Sequence, residues 1–232
     1  MNGALYCGQS MDLCSAGLMA MKRPVLVVFD LDGTLTDSCE LGHLLFKEVF
    51  KRLGFGEISD ELADSFNGPS SDEVCRIMGI EDRKVEYNAL IDEVETALVR
   101  SMGKIYPGIL EMLSDLAPHA HLAILTNGSP VYCQTCIEHY GFAPYIGLRA
   151  GFTTGVTKAM RIGMWEKELC ARRVIVVGDR CTDISNARAA GAYAIGVTFG
   201  MGSREELSDA DVLCDTAQQV TQACMRVIGE IR

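Results

Sequence analysis

The stretch VLVVFDLDGTLTDS, Val25 to Ser38, runs five apolar residues straight into two aspartates, Asp30 and Asp32, separated by a single leucine. A short, continuous, Val-rich run is the pattern of a strand covered on both faces, as strands of a parallel sheet are. Asp30 is then the first residue past the strand. Asp32, two positions later, sends its carboxylate toward the same pocket if the backbone stays extended. Gly33 permits a tight turn, and Thr34 is expected to hydrogen-bond locally to hold it.

Two further runs repeat this build, HLAILT at 121–126 and RVIVVGD at 173–179, and YAIGVT at 193–198 reads as another strand. Helical patterns lie between them. Ile109, Leu110, Leu113 and Leu116 follow Pro107-Gly108, and Val131, Cys136 and His139 follow Ser129-Pro130, a cap and a first helical position. Strands alternating with helices predict an α/β fold with a Rossmann-like open parallel sheet as its core. Residues 39–105 break the alternation, since Leu41, Leu44, Leu45, Val49 and Leu53 keep helical spacing and no strand pattern appears. The predicted organisation is therefore a core from 23–38 and 106–232 with an inserted α-helical cap at 39–105. Gly68-Pro69-Ser70-Ser71 interrupts the insert as a loop, with Ser70 or Ser71 capping the next helix. Residues 1–22 have no clear periodicity and are expected to form a flexible extension.

Of 232 residues, 48% are hydrophobic and 22% charged, which fits a globular chain and not a disordered one. The net charge of -10 opposes a role in neutralising nucleic-acid phosphates, so no nucleic-acid partner is expected. No apolar run approaches the ~18 residues of a membrane span. Residues 1–20 also lack the basic start of a signal peptide, and a cytoplasmic location is expected. There are ten cysteines, spread without a compact framework, and most are expected to be reduced and buried. Cys133 and Cys136 have the spacing of a redox or zinc pair, but no second pair accompanies them, and ordinary helix cysteines are the better reading.

Ligands of an open parallel sheet bind beyond the carboxyl ends of the strands, and Asp30, Thr126-Asn127-Gly128 and Asp179 all fall there. Asp179 and Asp183, in GDRCTD, add two carboxylates to Asp30 and Asp32. Crowded like charges require a cation or a proton, and four hard oxygen donors suit Mg²⁺. Lys158, at the start of a helical segment over 157–170, either balances that charge and holds a phosphate oxygen or is a solvated lysine at a helix start.

In this order, DLDGT, ILTNG, Lys158 and GDRCTD resemble the four motifs of the haloacid dehalogenase superfamily phosphatases, from about residue 25 to 200. A helical insert returning at Tyr106-Pro107-Gly108 is similar to the cap of phosphoglycolate-phosphatase-like members. Lys158 departs from the pattern, because Ala159 follows it where many relatives have proline. The resemblance implies that Asp30 is the nucleophile that forms an aspartyl-phosphate and that Asp32 is the general acid and base. It also implies Mg²⁺ held by Asp30, the Asp32 carbonyl and Asp179, with Asp183 supporting a metal-bound water or Lys158. Thr126, the Asn127 amide and Lys158 would bind phosphoryl oxygens, with Gly128 keeping the turn narrow.

The implied partner is a small phosphorylated metabolite bound by a monomer or homodimer, with no membrane involved. A phosphosugar mutase using the same intermediate is the alternative. A receiver domain lacks both the cap and the Asp-x-Asp spacing, and a non-catalytic scaffold would not need every reactive residue. Specificity is expected in the cap, at the loop Asn67 to Ser71. Asn127-Gly128-Ser129 matches a glycosylation acceptor, but the phosphate-binding role explains it better. Cys181 is expected to be structural, with its thiol pKa raised by nearby aspartates, and Gly196, Gly200 and Gly202 are expected to be turn glycines.

Overall fold

A computed structural model describes residues 23–231. The predicted extension at 1–22 lies outside them. Six strands, β1 (Val25–Phe29), β2 (His121–Leu125), β3 (Leu148–Ala150), β4 (Arg173–Gly178), β5 (Tyr193–Val197) and β6 (Val212–Cys214), form one sheet ordered β3-β2-β1-β4-β5-β6. Every neighbouring pair is parallel. β1 lies in the middle, with Val27 opposite Leu122 on one side and Ile175 on the other.

All five β1 side chains are buried, and their alternation divides them between two cores. Val25, Val27 and Phe29 join the apolar cluster on one face, while Leu26 and Val28 join the other. Each such side chain contributes roughly 1.5–3 kcal/mol relative to exposure. A strand with two buried faces needs the unbroken apolar run seen in the sequence.

The stretch between β1 and β2 contains α1 (Cys39–Arg52), α2 (Asp60–Ser65), α3 (Ser71–Met78), a 3₁₀ turn (Glu81–Arg83) and the long α4 (Lys84–Met102), then α5 (Ile109–Leu116). The first four helices build a third apolar cluster of their own. Phe50 stands inside it, its ring 5.3 Å from that of Phe66, 5.6 Å from Phe55 and 5.9 Å from Tyr87. The chain leaves and re-enters the sheet region through two segments bonded to each other. Thr36 bridges Ile105, the Asp37 N–H donates to the Lys104 carbonyl at 3.1 Å, and the Tyr106 N–H donates to the Leu35 carbonyl at 3.3 Å.

After β2 come α6 (Pro130–His139), α7 (Lys158–Leu169), α8 (Cys181–Ala189) and α9 (Ala217–Gly229). Ser129 caps α6, with Pro130 in its first turn. The buried face of α6 is Tyr132, Cys133, Cys136 and Ile137, whereas Val131 and His139, counted toward the helical pattern, point outward. Leu44 in α1 is likewise exposed. Strands β3 and β6, three residues each at the sheet edges, and helices α2, α8 and α9 have no counterpart among the sequence expectations. Among the described residues, no helix is long and apolar enough to cross a membrane.

Candidate active site

β1 ends at Phe29, and the Asp30 N–H still donates to the Val177 carbonyl of β4 at 2.9 Å. That last ladder bond fixes Asp30 at the carboxyl end of the central strands. The chain then turns through Leu31 to Thr36. Gly33 takes φ +77°, and a Cβ there would stand 2.1 Å from Asp179 Oδ2. Both the conformation and the close approach therefore require glycine. Thr34 does not make the local bond expected of it. Its hydroxyl donates across the site to Asp179 Oδ1 at 3.2 Å, and Thr36 makes the local bond instead, donating to the Leu31 carbonyl at 3.1 Å.

Asp179 follows β4 and is fully enclosed, and the Met201 N–H donates to its Oδ2 at 2.8 Å. Gly200 and Gly202 close around it, since a Cβ on either would come within 2.7 Å of Asp179 atoms. Both lie in the bent loop after β5, as expected of turn glycines, and the close approach to Asp179 is a further reason for glycine there. Gly196 lies inside β5.

Asp183, in the first turn of α8, folds back so that its Oδ2 accepts from the Arg180 N–H at 3.2 Å. Gly178 makes this possible, because a Cβ there would stand 2.3 Å from the Asp183 Cβ. Cys181 opens α8 in an exposed position, and its thiol pKa is raised first by desolvation and then by a bond to Glu206, so the expected aspartates are not the cause.

Asp30, Asp179 and Asp183 each offer a carboxylate oxygen within 4.8 Å of the others. Lys158, the first residue of α7 after its Thr157 cap, reaches into this group. Its ammonium donates to Asp30 Oδ1 at 2.6 Å and to Asp183 Oδ1 at 2.9 Å. A solvated lysine is thereby ruled out. Desolvation and the neighbouring carboxylates push Asp30 well above the ordinary range despite Lys158, and burial pushes Asp179 up to about 6. The Lys158 pKa is raised as well: burial works against its charge, but Asp183 and Asp30 outweigh that cost. A compact, buried, all-oxygen donor set with excess negative charge fits a hard divalent cation such as Mg²⁺.

Asp32 stands apart from that cluster. Its Oδ1 accepts from the Tyr132 hydroxyl at 2.5 Å and its Oδ2 from the Thr126 hydroxyl at 3.3 Å. Thr126 in turn accepts the Gly128 N–H at 2.9 Å. A Cβ on Gly128 would lie 2.4 Å from the Tyr132 ring, so the narrow turn lets the tyrosine reach Asp32. Asn127 is exposed, and its side-chain amide donates to the Gly68 carbonyl at 3.0 Å, joining this loop to the helical insert. The Ser129 hydroxyl makes a second link, donating to Asp92 of α4 at 2.5 Å. A cleft of about 110 Å³ lies between, lined on one side by Asp30, Asp32 and Lys158 and on the other by Phe66, Gly68 and Glu95.

Tyr132 and Glu95 are absent from the sequence expectations. Tyr87, Ile91 and Glu95 recur every four residues along α4, so a glutamate in register with a buried stripe was the available signal for Glu95. Cys133 and Cys136 are buried in α6, and burial pushes the Cys133 thiol up to about 12, as for inert helix cysteines.

A strand-end aspartate pair, a lysine between carboxylates and a parallel sheet with a helical insert together define a hydrolase of the haloacid dehalogenase type. The chain belongs to that family, since residues 27–197 match the profile described as haloacid dehalogenase-like hydrolase. It is 28% identical over 187 residues to the tyrosine-protein kinase PtkA of Mycobacterium tuberculosis, covering 78% of this chain and 64% of that protein. The chain thus spans a little under two thirds of that relative's length. A phosphoglycolate phosphatase of Vibrio cholerae is 25% identical over 207 residues, covering 82% of this chain and 92% of the phosphatase. A haloacid dehalogenase-like hydrolase from Streptococcus pneumoniae has the same fold, with a TM-score of 0.75 at 22% identity, covering 86% of this chain and 97% of that one.

Proposed function

We propose that the protein hydrolyses small phosphate monoesters through an aspartyl-phosphate on Asp30, in the manner of phosphoglycolate-phosphatase-like members of its family. The observation that carries this reading is the division of labour between the two aspartates. Asp30 faces a cation and two further carboxylates, while Asp32 is held by Tyr132 and Thr126.

Asp30 attacks phosphorus through a carboxylate oxygen as the bond to the ester oxygen breaks, and the displacement is split into two easier steps. Asp32 gives its proton to the departing alkoxide and takes one from the water that cleaves the acyl-phosphate. The tyrosine and threonine hydroxyls fix which way its carboxyl points. Lys158 and the amides around Asn127 and Gly128 surround the phosphoryl oxygens, where fixed positive charge stabilises the transition state most. Asp30, Asp179, Asp183 and the Asp32 carbonyl would hold Mg²⁺, which when bound neutralises the carboxylates and polarises the phosphoryl group.

Residues 39–105 serve as a cap over the site, an assignment supported by their separate apolar cluster and by the links from Gly68 to Asn127 and from Asp92 to Ser129. The test is phosphate release from a panel of monoesters with and without Mg²⁺, comparing the natural sequence with Asp30→Asn. Metal-dependent release that vanishes in Asp30→Asn is the expected result. Release that persists in that variant would remove Asp30 from the reaction.

A further inference from the structure

Away from the phosphoryl end, the cleft continues beneath the helical insert, lined by Tyr87, Ile91 and Glu95 of α4 and by Ser38, Leu41 and Leu45 around the start of α1. Four of these six are apolar or aromatic, and the polar two are buried. Glu95 is 9% exposed and Ser38 5%, and Glu95 Oε2 and Ser38 Oγ have no hydrogen-bond partner among the described residues. An unpaired buried polar group costs roughly 1–3 kcal/mol, and a ligand that satisfies it recovers that energy. Two such groups on one wall of a cleft thus indicate what fills it.

Resting on the hydrolase reading above, we infer that Glu95 and Ser38 receive the leaving-group end of the substrate, and that this end is neutral and hydroxylated, not a carboxylate. Desolvation first, then the charges of Asp32 and Asp92, hold the Glu95 carboxyl well above its ordinary value. A protonated carboxyl both donates and accepts, which suits a hydroxyl, itself a donor and an acceptor. A substrate carboxylate would instead lose its hydration beside Asp32 and Asp92.

No cation compensates for that loss on the wall formed by Ser38, Leu41, Leu45, Tyr87, Ile91 and Glu95. Lys158 is bound between Asp30 and Asp183. Arg180 stands elsewhere in the lining, by Gly68, with its Nε donating to Glu206 at 2.9 Å. Burying a charge without a partner costs far more than burying a hydroxyl. That wall therefore favours polyol phosphates over phosphoglycolate.

The experiment is calorimetric binding to the full-length Asp30→Asn protein with Mg²⁺, using glycerol 3-phosphate, phosphoglycolate and inorganic phosphate as probes, alongside hydrolysis of both esters by the natural sequence. Glycerol 3-phosphate is expected to bind at least about tenfold more tightly than phosphoglycolate, a difference one buried hydrogen-bonded group can supply. Adding Glu95→Leu should erase the preference and leave inorganic phosphate unchanged, while Glu95→Gln, which keeps a donor and an acceptor, should retain it. Ser38→Ala should weaken glycerol 3-phosphate alone, and it provides the reading should Glu95→Leu fail to fold.

Equal or tighter binding of phosphoglycolate overturns the inference. So does a loss of all three ligands in Glu95→Gln, which would make Glu95 a structural residue. Absence of ester hydrolysis with the binding preference intact would count against the hydrolase reading only, and the role of Glu95 would stand.

Discussion

Asp179 loses its proton near pH 3.8 when solvated, but burial in the fold raises that value to about 6. For this group, stability is greatest below the lower value and falls as pH rises through the higher one, because the folded state resists ionisation. At about 1.4 kcal/mol per unit, the penalty near neutrality approaches about 3 kcal/mol. A divalent cation favours the ionised carboxylate and reverses this. Thermal melts should therefore show Mg²⁺ raising Tm by several degrees at pH 7.5 and very little at pH 4.5. An equal rise at both values would show that the cation binds elsewhere. Gly178 offers a steric test at the same scale. In Gly178→Ala the new methyl meets Asp183, so a loss of about 1–3 kcal/mol is expected in urea unfolding, together with weakened activity. At this scale the sequence exposed the residues whose spacing is rigid. Asp30 follows a strand and Lys158 begins a helix, so each position followed from its neighbours. Tyr132 was not legible, because its partner Asp32 is 100 positions away and only the Gly128 turn joins them. Thr34 was misjudged for the same reason, since its partner is 145 positions distant.

Elements were readable where one residue pattern decided them. β1 and β4 are buried apolar runs, and the caps at Ser129 and Ser70 stand before the helices they start. Ser70 closes a full capping box, accepting from the Glu73 N–H at 3.4 Å while its own N–H donates to the Glu73 carboxylate at 3.0 Å. Ser70→Ala should cost about 1 kcal/mol in a denaturant titration, and because α3 packs within the insert, not the sheet, Mg²⁺ affinity should not change. A Mg²⁺ affinity that fell with stability would mean that the insert and the sheet unfold as one tightly linked unit. β3 and β6 escaped notice because three-residue edge strands owe their place to a neighbouring strand more than to their own composition. In α9 the buried residues Ala217, Val220, Ala223, Cys224 and Val227 keep helical spacing, so that helix was legible in the sequence and was passed over.

Across the whole molecule, two features govern how the insert meets the sheet. The paired segments Leu35–Asp37 and 104–106 tie entry and exit together, and α4 packs along α6, with Leu41 and Val99 joining the apolar cluster on one face of the sheet. The loop after β2 then touches it at two points, Asn127 to Gly68 and Ser129 to Asp92. On the proposed reading of residues 39–105 as a cap, these polar links are the ones that opening to admit substrate would break. Asp92→Ala removes one link without touching Asp30, Asp32 or Lys158. Losing this hydrogen bond should lower kcat/KM for a preferred ester by roughly 5- to 30-fold, the equivalent of 1–2 kcal/mol. Inorganic phosphate, which the proposed mechanism places on the sheet-side residues, should bind the variant as before. If its affinity fell in parallel with kcat/KM, Asp92 would be shaping the phosphate site through Ser129 and α6 instead of holding the cap closed.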